Sequence, residues 1–206
     1  MKITPLLRNM QYLMLLVPLY VNAQKNPEIT VAFLNNHTAY PFASFASLFS
    51  GPFHPGGEVG YRFDWTNRKR HDWYQTANAG YFYHRFLQHG IHLHTQTGYR
   101  FKATEQWRLS AAFGFGYLQS IPATAVYKLG DDGSYEKAKG IGRAQATAHL
   151  SLGTQYYFKI SKRPFSIFTD YRQTIQAPFV RSYVPFLPYN SFLVGLSTFL
   201  HQNRKS

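Results

Sequence analysis

Hydrophobic and polar residues alternate with a period of two along most of the chain, the pattern of strands with one apolar and one polar face. From Glu58 the odd positions are Val59, Tyr61, Phe63 and Trp65, and the even ones Glu58, Gly60, Arg62 and Asp64. The next segment separates Trp73, Ala77, Ala79, Tyr81 and Tyr83 from Asp72, Thr76, Asn78, Gly80 and His84. A third sets Ile91, Leu93, Tyr99 and Phe101 against His92, His94, Gln96, Arg100 and Lys102. Four more follow, at residues 107–118, 144–158, 165–176 and 191–200. The apolar faces carry no charged residue, although 15% of the chain is charged. The polar faces carry Glu58, Arg62, Asp64, Asp72, Arg100, Lys102, Arg108, Asp170 and Arg172.

A soluble β-sandwich would also alternate, with its polar face turned to water. Such a face would rarely be as rich in Gly, Ala and Ser as this one. The pattern instead fits strands whose apolar face meets lipid, where a charge at the bilayer midplane costs roughly 2–4 kcal/mol. Trp65, Trp73 and Trp107 all fall on the apolar face beside a short turn, as an interfacial aromatic girdle requires. The fold expected is all-β: an antiparallel up-and-down transmembrane β-barrel.

Turn lengths set its topology. Short connections at residues 67–70, 103–106 and 159–162 fit the periplasmic end, and the long ones at 119–143 and 177–190 the outer end. Counting back from a descending last strand calls for one more ascending strand, for which residues 29–36 (ITVAFLNN) are the candidate, with an outer loop over 39–57. That makes eight strands. Within the long loop, residues 125–129 against 135–139 read as a small hairpin around Asp131-Asp132-Gly133-Ser134.

The chain's start reads as an address. Lys2 and Arg8 precede an apolar run at residues 12–21, and Val21-Asn22-Ala23 ends on a small residue. This predicts a secretory signal over residues 1–23 and one barrel domain over 24–206. The apolar run is shorter than the roughly 20 residues of a spanning helix. Composition agrees with export: aromatics reach 18%, and the absence of Cys excludes disulfides, thiolate metal sites, a Cys nucleophile and a lipid-anchored cysteine.

The formal charge of +13 has a location. Arg68, Lys69, Arg70, Lys102, Lys159, Lys162, Arg163, Arg204 and Lys205 map to the inner side, and Lys128, Lys137, Lys139, Arg143 and Arg181 to the outer loops. These charges suit the anionic headgroups of outer-membrane lipids or lipopolysaccharide phosphates, with an envelope protein as a further partner. No nucleic-acid partner is expected of an exported barrel, and no glycine-rich phosphate loop or other cofactor signature is present.

Two groups of residues could carry chemistry. His149 and Ser151 are two apart on one strand and share a face, and a hairpin at 159–162 sets Ser151 opposite Arg172 and Asp170 opposite Gly153. A hydroxyl, an imidazole and a carboxylate are the parts of a Ser–His hydrolase. The second group is His84, His92 and His94 near one rim, with His89 in the tight connection. With the hairpin centred on Gln88, His84 and His92 are cross-strand neighbours able to share a divalent metal.

Signal peptide, eight amphipathic strands, short inner turns and a last strand ending in the aromatic Phe199 together resemble the small outer-membrane β-barrels of Gram-negative bacteria, such as the OmpA-like transmembrane domains. The segment His54-Pro55-Gly56-Gly57 before Glu58-Val59-Gly60-Tyr61 resembles a feature of uncharacterised barrels of that group. The resemblance implies an outer-membrane location, an interior closed by paired charges, and a structural, adhesive or envelope-interacting role through the outer loops. The His-x-Ser order on a late strand is also similar to the lipid A 3-O-deacylases. This implies the alternative of a lipid A or phospholipid acyl hydrolase, with Ser151 as nucleophile, His149 as base and Asp170 in place of that family's acid.

Overall fold

Eight long antiparallel strands close into a ring. The computed structural model describes residues 27–38, 47–125, 127–129, 133–137, 140–158, 165–179 and 184–200, so the expected signal segment lies outside the described residues. In chain order the elements are β1 (Glu28–Thr38), helix α1 (Ser47–Ser50), β2 (Pro55–Asp64), β3 (His71–His84), β4 (Gln88–Lys102), β5 (Trp107–Pro122), β6 (Tyr127–Leu129), β7 (Tyr135–Lys137), β8 (Arg143–Phe158), β9 (Phe165–Ala177) and β10 (Leu187–Phe199). Barrel neighbours are chain neighbours once β6 and β7 are set aside, and β1 pairs β10 from Glu28↔Phe199 to Thr38↔Tyr189 to close the sheet. The eight expected strands are thus the eight observed.

The long connections, residues 39–54, 123–142 and 178–186, lie at one end of the barrel with the tight turn at 85–87. Those at 65–70 and 103–106 lie at the other, where β8 ends and β9 begins. The loop hairpin forms as β6 against β7, with Tyr127↔Lys137 and Leu129↔Tyr135 in register and Gly133 in the left-handed region at φ +78°. Asp131 and Asp132 lie outside the described residues.

The two faces sort as the alternation predicts. Every barrel strand presents large apolar residues outward, among them Phe33, Val59, Tyr81, Leu93, Phe115, Leu152, Ile167 and Leu196. A closed ring with an unbroken apolar belt has no partner for that belt except lipid. The chain is a membrane-spanning β-barrel. Trp65, Trp73 and Trp107 face outward at the short-turn end, and Trp73 and Trp107 meet Tyr99 and Tyr156 edge-on.

The interior is solid. Its apolar part is small, Ala32, Leu34, Phe82, Leu118, Tyr189 and Leu193, with Phe168 against it. The rest is polar and buried. β1 begins one residue earlier than the sequence pattern indicated, and that residue, Glu28, is the most densely bonded acid of the interior. Its carboxylate accepts from Arg62 (3.1 Å), Gln155 (2.8 Å), Tyr157 (3.0 Å) and the Ser197 hydroxyl. Beside it Arg100 donates to Asp64 at 2.7 Å and lies 3.3 Å from Asp72, which Lys102 also approaches at 2.9 Å. The Tyr74 ring lies under both guanidiniums, 4.9 Å from Arg62 and 5.6 Å from Arg100.

Candidate functional site

Further along the barrel the polar filling changes character. Arg172 of β9 grips Glu58 of β2 with two donors, at 2.7 and 2.9 Å, and lies 3.8 Å from Asp170. Next to this pair stand three imidazoles, His92 and His94 of β4 and His149 of β8, all at least nine-tenths buried. Their rings are 4.4 to 4.8 Å apart between centroids, and one nitrogen from each lies within 4.8 Å of the others.

β4 and β8 are not neighbours, because β5 runs between them. The histidines meet because β5 has no side chain where they would collide. Gly114 pairs with His149, and Gly116 with His94. A Cβ on Gly116 would sit 2.4 Å from that of His94, and one on Gly114 would sit 2.2 Å from the Thr95 carbonyl oxygen. The Gly-Phe-Gly run of β5 therefore points two aromatic-flanked gaps inward and a phenylalanine outward.

Hydrogen bonding within the trio is incomplete. Thr147 Oγ1 lies 3.0 Å from His92 Nε2 and 3.1 Å from His149 Nε2, and Thr174 Oγ1 lies 3.1 Å from His149 Nδ1. One hydroxyl proton serves one acceptor, so of the two Nε2 atoms facing Thr147 one receives and the other must donate. Among the described residues His94 has no hydrogen-bond partner on either ring nitrogen, and both are buried. Its nearest carboxylate oxygen, on Glu58, is 3.8 Å away, beyond hydrogen-bond length.

The residues singled out from the sequence divide accordingly. Register places Ser151 opposite Arg172 and Asp170 opposite Gly153, as expected. The three do not assemble into a relay. Ser151 accepts from Gln96 Nε2 at 2.9 Å and hydrogen-bonds with the Asp170 carboxylate, while both His149 nitrogens face threonines. The expected rim trio is also redrawn. The β3–β4 turn spans 85–87, two residues before the expected centre, so His84 pairs with Gln88 and His92 with Gly80. His89 lies in β4, facing outward, within 2.8 Å of the Tyr81 hydroxyl. His84 leaves the trio and stacks on His54, centroids 3.7 Å apart, and His149 takes its place.

His54 was visible in the sequence only as part of a Pro-Gly segment. It closes the first long connection onto β1: its amide donates to Asn35 Oδ1 (2.9 Å), its carbonyl accepts from the Asn36 amide (3.0 Å), and its Nδ1 lies 3.0 Å from the Asn36 carbonyl oxygen. Asn35 Nδ2 in turn donates to the Leu48 carbonyl of α1 at 2.8 Å.

No protein-family model matches the chain, and no curated protein matches it significantly. Solved structures resemble it in outline. Ail of Yersinia pestis, the attachment invasion locus protein, is 13% identical, with 86% of this chain and 99% of that one covered at a TM-score of 0.47. The N-terminal β-barrel domain of Pseudomonas aeruginosa OprF is 17% identical, covering 82% and 96% at 0.45. The outer membrane enzyme PagL is 11% identical, covering 82% and 97% at 0.43.

Proposed function

We propose that the protein resides in the outer membrane of a Gram-negative cell and works through its outer connections, as a structural, adhesive or envelope-interacting protein on a non-conducting scaffold. The observation that supports this reading is the contrast between interior and loops. Inside, side chains fill the section from Glu28 to Tyr189, and the cavity beside Arg172, Glu58 and Asp170 is about 40 Å³, room for a water or two. Outside, the longest connection carries its own hairpin and exposes Tyr127, Tyr135 and Ile141, the last 83% accessible, next to basic Lys137 and Arg143. Exposed aromatic and aliphatic groups beside cations suit an amphiphilic anionic partner, such as lipid headgroups or lipopolysaccharide phosphates.

The test is a deletion of residues 124–140 with the ends rejoined by a short Gly-Ser turn. The barrel should keep its resistance to unheated SDS while binding to lipopolysaccharide vesicles or to whole cells is lost. Undiminished binding by the deletion variant would sink the proposal.

The acyl-hydrolase alternative draws less support. A nucleophile needs a free base beside it and an open path for an acyl chain. Ser151 is engaged by Gln96, His149 by two threonines, and both are buried inside the ring rather than at its lipid face. Mass spectrometry of lipid A and phospholipids from cells carrying wild type or Ser151→Ala should give identical profiles. Acyl-chain loss confined to wild type would revive the enzyme.

A further inference from the structure

We propose that His92, His94 and His149 form a binding site for one divalent transition-metal ion of the zinc, cobalt, nickel and copper class, buried in the barrel. The inference goes beyond the loop-borne role and does not depend on it.

Three observations converge. The first is unspent donor capacity. A neutral imidazole carries one lone pair and one N–H, and leaving both buried without partners is costly. His94 does so on both nitrogens. His92 and His149 share the Thr147 hydroxyl, and His149 also meets Thr174. A metal ion would accept a lone pair from each ring and give His94 the partner it lacks.

The second is convergence. Lone pairs lie in the ring plane, so rings that are to share an ion must have planes that intersect. His149 is inclined 54° to His92 and 46° to His94, which are stacked on each other at 26°, and one nitrogen of each ring lies within 4.8 Å of the others. Tetrahedral binding at Zn–N of about 2.0–2.1 Å needs nitrogens roughly 3.3 Å apart, a closure within reach of small ring rotations. The rim pair offers the contrast. His54 and His84 are stacked with planes only 9° apart, so their lone pairs run side by side and cannot meet on one ion.

The third is local charge and ligand type. At this level Glu58 and Asp170 face Arg172, with Arg62 also acting on Asp170, and the Glu58 carboxylate is 3.8 Å from His94 Nε2. That carboxylate can orient a ligating ring or stand opposite the ion as its counter-charge. Three imidazoles with few oxygens select borderline transition metals over calcium or magnesium, which take oxygen sets. The glycines at 114 and 116 are what hold this space open in a barrel otherwise packed by side chains.

The experiment uses the full mature chain without a histidine tag, folded in detergent micelles, washed with chelator, loaded with Co(II) or Zn(II) and desalted. Wild type should retain one ion per chain, and its cobalt form should show the intense visible bands of four-coordinate Co(II). His94→Gln should lower the affinity at least tenfold while the unheated protein still migrates as a folded barrel. His84→Gln, which alters the rim pair only, should bind as wild type does. The proposal is overturned if folded wild type retains no ion, or shows only the weak bands of octahedral cobalt. It is also overturned if His94→Gln binds undiminished, which would assign the ion to surface histidines. Should His94→Gln fail to fold, the wild-type cobalt spectrum and retained stoichiometry decide alone.

Discussion

Arg172 and Glu58 face each other across the barrel, from β9 to β2 with β10 and β1 between them, and share two hydrogen bonds of 2.7 and 2.9 Å. No strand ladder holds these two strands together, so the pair is a cross-brace. Removing one partner leaves a buried charge uncompensated, which costs about 3–5 kcal/mol, whereas replacing both with apolar groups can be nearly neutral. Arg172→Met should therefore lower urea resistance in lipid vesicles by about that amount, and Glu58→Leu together with Arg172→Met should recover most of the loss. Tryptophan fluorescence during unfolding reads both. A double variant as unstable as the single one would disprove the brace.

A glycine permits the second feature. A Cβ on Gly98 would lie 2.3 Å from Cζ of Tyr74, whose ring supports Arg62 and Arg100. Gly98→Ala should cost about 1–3 kcal/mol by displacing that ring, the usual range for overpacking. Tyr74→Leu in the same background should relieve part of the clash. If Gly98→Ala unfolds at the same urea concentration as wild type, the close packing has no energetic weight.

The lipid face makes a prediction of its own. Leu152, 57% exposed and midway along β8, should meet hydrocarbon, so Leu152→Arg should cost roughly 2–4 kcal/mol in bilayers. Ile141, in the outer connection, is more exposed still and should accept Ile141→Arg without measurable loss. Equal costs at the two positions would mean that the belt is not in lipid.

The eight strands and their facing were legible in the sequence because lipid outside and packing inside impose opposite chemistry on alternate residues. Arg172 and Asp170 were placed correctly opposite Ser151 and Gly153, since a short turn fixes register. The histidine grouping was not legible. Its membership depends on a turn centred at 85–87 rather than on Gln88, and on β5 presenting Gly114 and Gly116 between two non-neighbouring strands. Local periodicity carries no record of what meets across the lumen. Glu28 was missed for a smaller reason: a charged residue at the start of an apolar run reads as the residue before the strand.

At the outer end, burial holds the His54 imidazole below its ordinary range, the hydrogen bond with the Asn36 carbonyl works the other way, and His37 adds to the lowering. A histidine with a depressed pKa stabilises the fold while neutral. That contribution is complete above the unfolded value of about 6.5 and is lost as the pH falls. The neighbouring groups are His37 and the stacked His84, neither of which offers a counter-charge. NMR of the His54 and Asn36 amides should show their hydrogen bonds intact at pH 8 and weakened at pH 5, with the change absent in His54→Gln. Identical spectra at the two pH values would refute this.

Glu28 bears on how the ring is joined. The outer belt cannot tell one alignment of β1 on β10 from another, because sliding by two residues exchanges one apolar group for another. The carboxylate can. Only with Glu28 opposite Phe199 does it meet the Ser197 hydroxyl of β10 together with Gln155 and Tyr157 of β8. In a slipped alignment the buried carboxylate would keep Arg62 of β2 but lose these donors, leaving acceptor sites unsatisfied away from water. The seam is thus proofread by an acid at the start of the first strand, and closure in the wrong frame carries its own electrostatic veto.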